Sequence, residues 1–379
     1  METLFPILSS RLHEMWRPAQ APRTPRAFRC RCGRPVFFRN SVCLACGTPL
    51  GYVPERLALL PLEGEDGLWK VSGEPDGPRY RNCGNLEPAG CNWLLAADDP
   101  APLCMACRLN RTIPDLTIEE NRAAWRSMEG AKRRLVSQLL ALGLPVASRV
   151  PGAGGEDLER GMLFDFVRSL PGQHVLTGHA EGVITVNIAE ADDAVREGNR
   201  AALREPYRTV LGHLRHEVGH YYWDRLVAGS DWHEPFRLTF GDEREDYAAA
   251  LRRNYEQGPP PDWSQRCVSA YASTHPWEDW AETWAHYLHM VDTLDTALSF
   301  GFHARDIEVD TEPFPASVLE HEDPDFLYFL NSWVEMTSLL NELSRSMGQP
   351  FFYPFVLSAP AVRKLHFVHR VVLGAAPPA

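Results

Sequence analysis

The chain has 379 residues, a net charge of −12, 44% hydrophobic and 23% charged residues, which suits a soluble globular protein of two or three domains. No run approaches the ~18 apolar residues of a membrane span, and the opening METLFPILSSRLHEMWR lacks a secretory layout, so a cytoplasmic protein without membrane contact is expected. The acidic total argues against nucleic-acid coating by the whole chain, yet residues 1–50 hold eight Arg, no Lys and only Glu2 and Glu14.

Residues 1–27 end in RPAQAPRTPRA and read as a flexible basic arm. Such an arm, with the segment after it, permits docking to nucleic acid or to an acidic protein; a solvated arm with no partner is the alternative. Nine cysteines in a chain of this kind point to metal rather than to disulfides, and eight of them precede residue 108. In residues 28–55, Cys30, Cys32, Cys43 and Cys46 form two knuckles around an apolar run, the pattern of a zinc ribbon. Reduced surface thiols are the other reading. Residues 56–113 hold Cys83, Cys91, Cys104 and Cys107, a second candidate structural zinc site with one widely spaced half. A redox-active Cys-x-x-Cys competes with that reading, but it should open a helix in a βαβ unit, and none is evident.

Residues 114–379 change character. Thr117 and Glu120 make a capping-box pattern, followed by a helix with Trp125, Met128, Leu135, Leu139 and Leu142 on one stripe and an end near Gly143 and Pro145. GMLFDFVRS and GVITVNIAEAD alternate and predict strands of a small antiparallel sheet. A long helical pattern runs from about Asp193 to Val227, and the last hundred residues are helical again. The expected class is therefore α+β, mostly helical, behind a cysteine-rich front.

Inside the long helical pattern lies HEVGH. His216 and His220, four apart, share one helix face and can offer two imidazoles to one ion, with Glu217 beside them. Taken alone, the pair is equally readable as satisfied surface histidines. Leu226 stands where a metzincin would have its third histidine. A glutamate from a second helix is the remaining common solution, and HPWEDWAETWAHYLH offers Glu278 as ligand and, one turn on, Glu282 to accept a hydrogen bond from His216. Asp224 is a further outer-sphere candidate or a helix-surface residue. His213, His286 and His289 read as structural or substrate-side, Arg208 and Arg215 as ion-pair partners, and Cys267 as a small buried residue. Tyr221, Tyr222 and Trp223 are expected to pack the histidine helix.

Tyr271, seven residues before Glu278, gives the run a layout that resembles the lethal-factor-like group of gluzincin peptidases. That resemblance implies an oxyanion donor at Tyr271. The strand GVITVNI precedes the histidine helix where zincin folds use an edge strand to align a peptide. Most of the chain after residue 25 resembles the zinc-binding metallopeptidases that carry an N-terminal zinc ribbon. The segments that carry the resemblance are CRCGRPVFFRNSVCLACGTPLGY, CNWLLAADDPAPLCMACRLNRTIPDL, YRTVLGHLRHEVGHYYWDRL, AYASTHPWEDWAETWAHYLHM and YPFVL. It implies a zincin-like domain over 114–379, one catalytic zinc and one or two structural zinc ions, and a protein or peptide substrate. Hydrolysis by a zinc-activated water, with Glu217 as general base, would follow. A zinc-ribbon binding protein with a scaffold body and little turnover is the alternative; a hydrolase acting on another bond is a third.

Overall fold

The computed structural model describes Leu8 and residues 26–65, 67–152, 154–169, 175, 177–203, 209–302 and 312–375. The expected basic arm lies almost wholly outside them, as does Arg208. Contacts divide the chain into two compact units, one over 23–197 and one from Gly198 onward, whereas the sequence suggests a boundary at 113/114.

In the first unit, strands β1 (Phe28–Arg29) and β2 (Pro35–Val36) pair around the first cysteine knuckle. Gly33 and Gly47 close the two knuckles at φ 80° and 72°, with Gly33 N donating to Cys30 O and Gly47 N to Cys43 O. Only glycine takes that backbone without strain. An antiparallel five-stranded sheet follows: β3 (Leu50–Val53), β4 (Ala58–Glu65), β5 (Leu68–Val71), β6 (Tyr80–Asn82) and β7 (Leu94–Ala96). Val53, Leu62, Val71, Tyr80 and Leu94 form its buried face.

Helix α1 (Glu119–Ala141) buries the whole expected stripe of Trp125, Met128, Leu135 and Leu139, with Leu142 at its C-cap. Gly143, at φ 72°, ends it as expected. The capping box does not form. Helix α1 starts at Glu119 behind Ile118, and Thr117 turns back instead, donating from both N and Oγ1 to Asp115 Oδ1. That local turn satisfies Asp115 and removes Thr117 from capping.

The second sheet of the unit has the order β10-β11-β9-β8, with β8 (Asn110–Thr112), β9 (Leu163–Val167), β10 (Gly178–Ala180) and β11 (Val183–Asn187). It is mixed, not antiparallel: β9 runs parallel to both β8 and β11. Four of the five β9 residues are buried, as expected of a strand covered on both faces. GVITVNI is therefore interior. As β11 it pairs with β9 and β10, and β10 takes the edge.

The long helical pattern after Asp193 is broken. Helix α2 (Asp193–Leu203) runs across the division between units, and α3 (Val210–Tyr222) starts afresh where Thr209 Oγ1 accepts from Gly212 N. A π-helical turn, Trp223–Val227, continues it. The second unit goes on with α4 (His233–Phe240), α5 (Tyr247–Gln257), α6 (Pro276–Ser299), α7 (Pro324–Ser346) and α8 (Ala359–Ala375). Asp246, His275 and Asp323 cap α5, α6 and α7, and Pro occupies the first turn of α6 and α7. Every residue of α3 from Leu214 to Tyr222 is buried, so this helix is core on all sides. Tyr222 stacks on Trp284 and Trp223 meets Phe236 edge-on, the packing role expected of that triplet. Among the described residues no helix is long and apolar enough to cross a membrane.

Candidate metal centres

The eight front cysteines gather into two groups of four, as their spacing suggests. In the first, Cys30 and Cys46 sulfurs lie 3.6 Å apart and those of Cys32 and Cys43 3.8 Å apart. In the second, Cys91 Sγ is 3.6 Å from Cys104 Sγ and 3.8 Å from Cys107 Sγ. Four thiolates on a tetrahedral zinc at about 2.3 Å stand about 3.8 Å apart, so both groups fit the ion. A disulfide would need about 2.05 Å, and all nine cysteines are free.

The wide Cys83-to-Cys91 spacing has a topological cause. These residues sit at the facing ends of β6 and β7, and Cys83 N donates to Trp93 O across the hairpin. The two groups differ in setting. Cys32 and Cys46 are exposed, while all four cysteines of the second group are buried. Helix α1 backs that second group with charge: Glu129 and Lys132 are fully buried, 2.6 Å apart, and Glu129 Oε2 is 3.7 Å from Cys107 Sγ and 3.8 Å from Arg133. Burial opposes the Arg133 charge, but Cys91, Glu129 and the other thiolates outweigh it and raise its pKa.

The second unit builds the remaining site on two packed helices. His216 and His220 stand one turn apart on α3 with ring centroids 5.0 Å apart. Their Nε2 atoms lie 3.0 and 3.6 Å from Glu278 Oε2, in the first turn of α6. Donor atoms about 2.05 Å from a tetrahedral ion are separated by about 3.3 Å, so the spacing fits zinc. Glu278 is 1% exposed, and its Oε2 accepts no well-formed hydrogen bond among the described residues. Burial resists ionisation of Glu278, but the two imidazoles prevail and hold its carboxyl well below the usual range.

Glu282 Oε1 is 2.7 Å from His216 Nδ1, and Ser269 Oγ donates to Glu282 Oε2 at 2.6 Å. The resulting Ser–Glu–His chain fixes the imidazole with Nε2 turned to Glu278. Glu217 is buried beside the cluster, with Oε1 3.1 Å from His213 Nε2. Burial disfavours its charge, but His213 and the neighbouring histidines outweigh that and lower its pKa. Tyr271, in a 3₁₀ turn before α6, brings its ring within 5.9 Å of the His216 ring.

The other sequence candidates have varied surroundings. Asp224 lies on the π-helical turn one turn past His220, where partial desolvation raises its pKa and the nearby imidazole offsets part of the rise. Arg215 points away from the cluster to His289 and Asp292, at 2.6 and 2.7 Å. His286 bonds Tyr353 OH at 2.6 Å, and burial pushes its pKa down to about 4. Both histidines thus have hydrogen-bond partners outside the donor cluster, while His213 contacts Glu217 beside it. Cys267 is buried as expected, but beside the Asp279–Lys364 pair rather than in a purely apolar pocket. Sequence reasoning missed Ser269 and Tyr247, whose hydroxyl donates to Glu278 Oε1 at 2.5 Å. Neither belongs to a periodic pattern; His213, by contrast, is four residues before Glu217, a spacing that signals contact on a helix.

Gly219 inside HEVGH sets the separation of α3 and α6. A Cβ there would lie 3.0 Å from Ala281 Cα, and Gly219 O accepts from Trp280 Nε1 at 2.8 Å. Gly219→Val should destabilise the protein by about 1–3 kcal/mol and weaken metal retention by separating Glu278 from the histidines. Chemical denaturation and metal analysis would check this; a variant as stable and as metal-rich as wild type would contradict the packing argument.

A family model described as "Putative zinc-binding metallo-peptidase" matches residues 121–371, and one for a zinc-ribbon domain matches residues 27–118. Uncharacterized proteins of Mycobacterium bovis and Mycobacterium tuberculosis are 41% identical over 354 residues, which is 93% of this chain and 96% of each relative. No solved structure matches the chain.

Proposed function

The chain belongs to this zinc-binding metallo-peptidase family, and on that premise we propose that it is a gluzincin-type peptidase acting on proteins or peptides. The reading is carried by the convergence of His216 and His220 Nε2 on Glu278 Oε2 in a buried cluster. These three residues would hold a catalytic zinc, which supplies a Lewis acid and acidifies a bound water. Glu217 takes the proton of the attacking water on its carboxylate and returns it to the leaving amine. Tyr271 donates its hydroxyl to the oxyanion. Glu282 orients His216, held in turn by Ser269.

In the same reading, residues 28–55 and 56–113 are two structural zinc modules and 114–379 is the peptidase domain. The basic front carries docking to a partner or substrate. Nine free cysteines suit a reducing, cytoplasmic setting.

The test is metal analysis joined to cleavage of a peptide library. Three zinc ions per chain are expected, matching the three donor groups. Replacing His216 and His220 by Ala should remove one ion together with all cleavage. A fully loaded protein that cleaves nothing in the library or in a lysate would favour the binding-module alternative.

A further inference from the structure

Glu278 has two oxygens, and the structure treats them differently. Oε2 faces both imidazoles, while Oε1 is taken by the hydroxyl of Tyr247. We propose that Tyr247 is a positioning residue for the third metal ligand, holding Oε1 so that Glu278 presents only Oε2 to the ion. This rests on the metallopeptidase reading of the site.

Several contacts fix the tyrosine for that task. Tyr247 is the first residue of α5, directly after Asp246, whose Oδ1 accepts from Ala249 N at 2.9 Å. Its ring meets those of His275 and Trp277 edge-on, with centroids 5.2 and 6.1 Å away. His275 is the N-cap of α6, accepting from Trp277 N through Nδ1, and its Nε2 lies 3.1 Å from Glu245 O. The first turns of α5 and α6 are therefore stitched together, and the tyrosine hydroxyl and Glu278 are delivered from two fixed helix starts.

The chemical consequence concerns the number of open coordination positions. A carboxylate has lone pairs on both oxygens and can grip one ion with the pair of them. Zinc accepts a fifth donor readily, so a free Oε1 would compete for the position that water or substrate needs. A hydrogen bond donated to Oε1 occupies one of its lone pairs, draws electron density from that oxygen and fixes the carboxylate plane. An outer-sphere hydrogen bond of this type typically changes metal affinity or activity by about 10- to 100-fold.

Tyr247→Phe removes only the hydroxyl and leaves the ring packing in place. The experiment uses the full chain with zinc kept in the cysteine sites. A chelator strips the labile ion and Co²⁺ replaces it; absence of sulfur-to-cobalt charge transfer identifies binding at the histidine site. Wild type should give the intense visible bands of four-coordinate cobalt. Tyr247→Phe should give the weaker bands of a five-coordinate ion and a roughly 10- to 100-fold loss of affinity in chelator competition, with an unchanged melting temperature. Identical spectra and affinities in the two proteins would overturn the proposal. Failure of wild type to take up such cobalt, or equal uptake by Glu278→Ala, would instead overturn the underlying assignment of the site.

Discussion

Glu217→Gln should lower peptide hydrolysis by about 10²- to 10⁴-fold while leaving zinc content unchanged. Glutamine matches glutamate in shape and can still accept from His213, which stands 3.1 Å from Oε1. What it lacks is a carboxylate able to take a proton. The three donor groups that gather at Glu278 Oε2 are untouched, so the ion should stay. Differential cleavage profiling of wild type and variant in one lysate reads the effect directly. Turnover equal to wild type in a zinc-loaded variant would sink the assignment of Glu217 as base.

The second large effect is on stability. Lys132→Met should cost about 3 kcal/mol, because it leaves the buried Glu129 carboxylate, next to a cysteine cluster, with only the more distant Arg133, at 3.8 Å, as counter-charge among the described residues. Both side chains are fully buried at 2.6 Å, and the ammonium also sits 5.5 and 5.4 Å from the Phe164 and Phe166 rings. Asn110 bonds both partners, and Arg133 Nη1, 3.8 Å from Glu129 Oε2, is beyond hydrogen-bond reach and replaces only part of the lost attraction. The double variant Glu129→Gln/Lys132→Met should recover most of the loss. Urea denaturation of the three proteins gives the comparison; a single variant within about 1 kcal/mol of wild type would refute the buried-charge argument.

The site was readable where its parts recur at fixed intervals. His216, His220, Glu278 and Glu282 share helix faces, and one turn of α-helix converts sequence spacing into proximity. The cysteines were readable because knuckles are local. Tyr247 was not, since a hydroxyl reaching across 31 positions to Glu278 leaves no periodic trace. The fold shows the same division. The α1 stripe stood out, but the five-stranded sheet did not, its strands being three to eight residues long and interrupted by Gly and Pro. The parallel β9–β11 pairing was missed for a related reason: alternation marks a strand without stating its partner or direction. The expected capping box failed because Asp115, only two residues away, competed for the same threonine.

The closed contact of α3 and α6 at Gly219 has a thermodynamic consequence. In the cysteine modules the thiolates are brought together by knuckles and by the ends of short strands, so the free energy of metal uptake is also free energy of folding. At the histidine site the donors sit on helices already locked by a tryptophan–backbone bond and a stacked aromatic core. Little chain entropy is left to lose there when an ion arrives. On the proposed assignment, the same chain couples one class of metal to its structural integrity and the other to its chemistry alone. Mild chelation would then silence the protein reversibly and leave it folded.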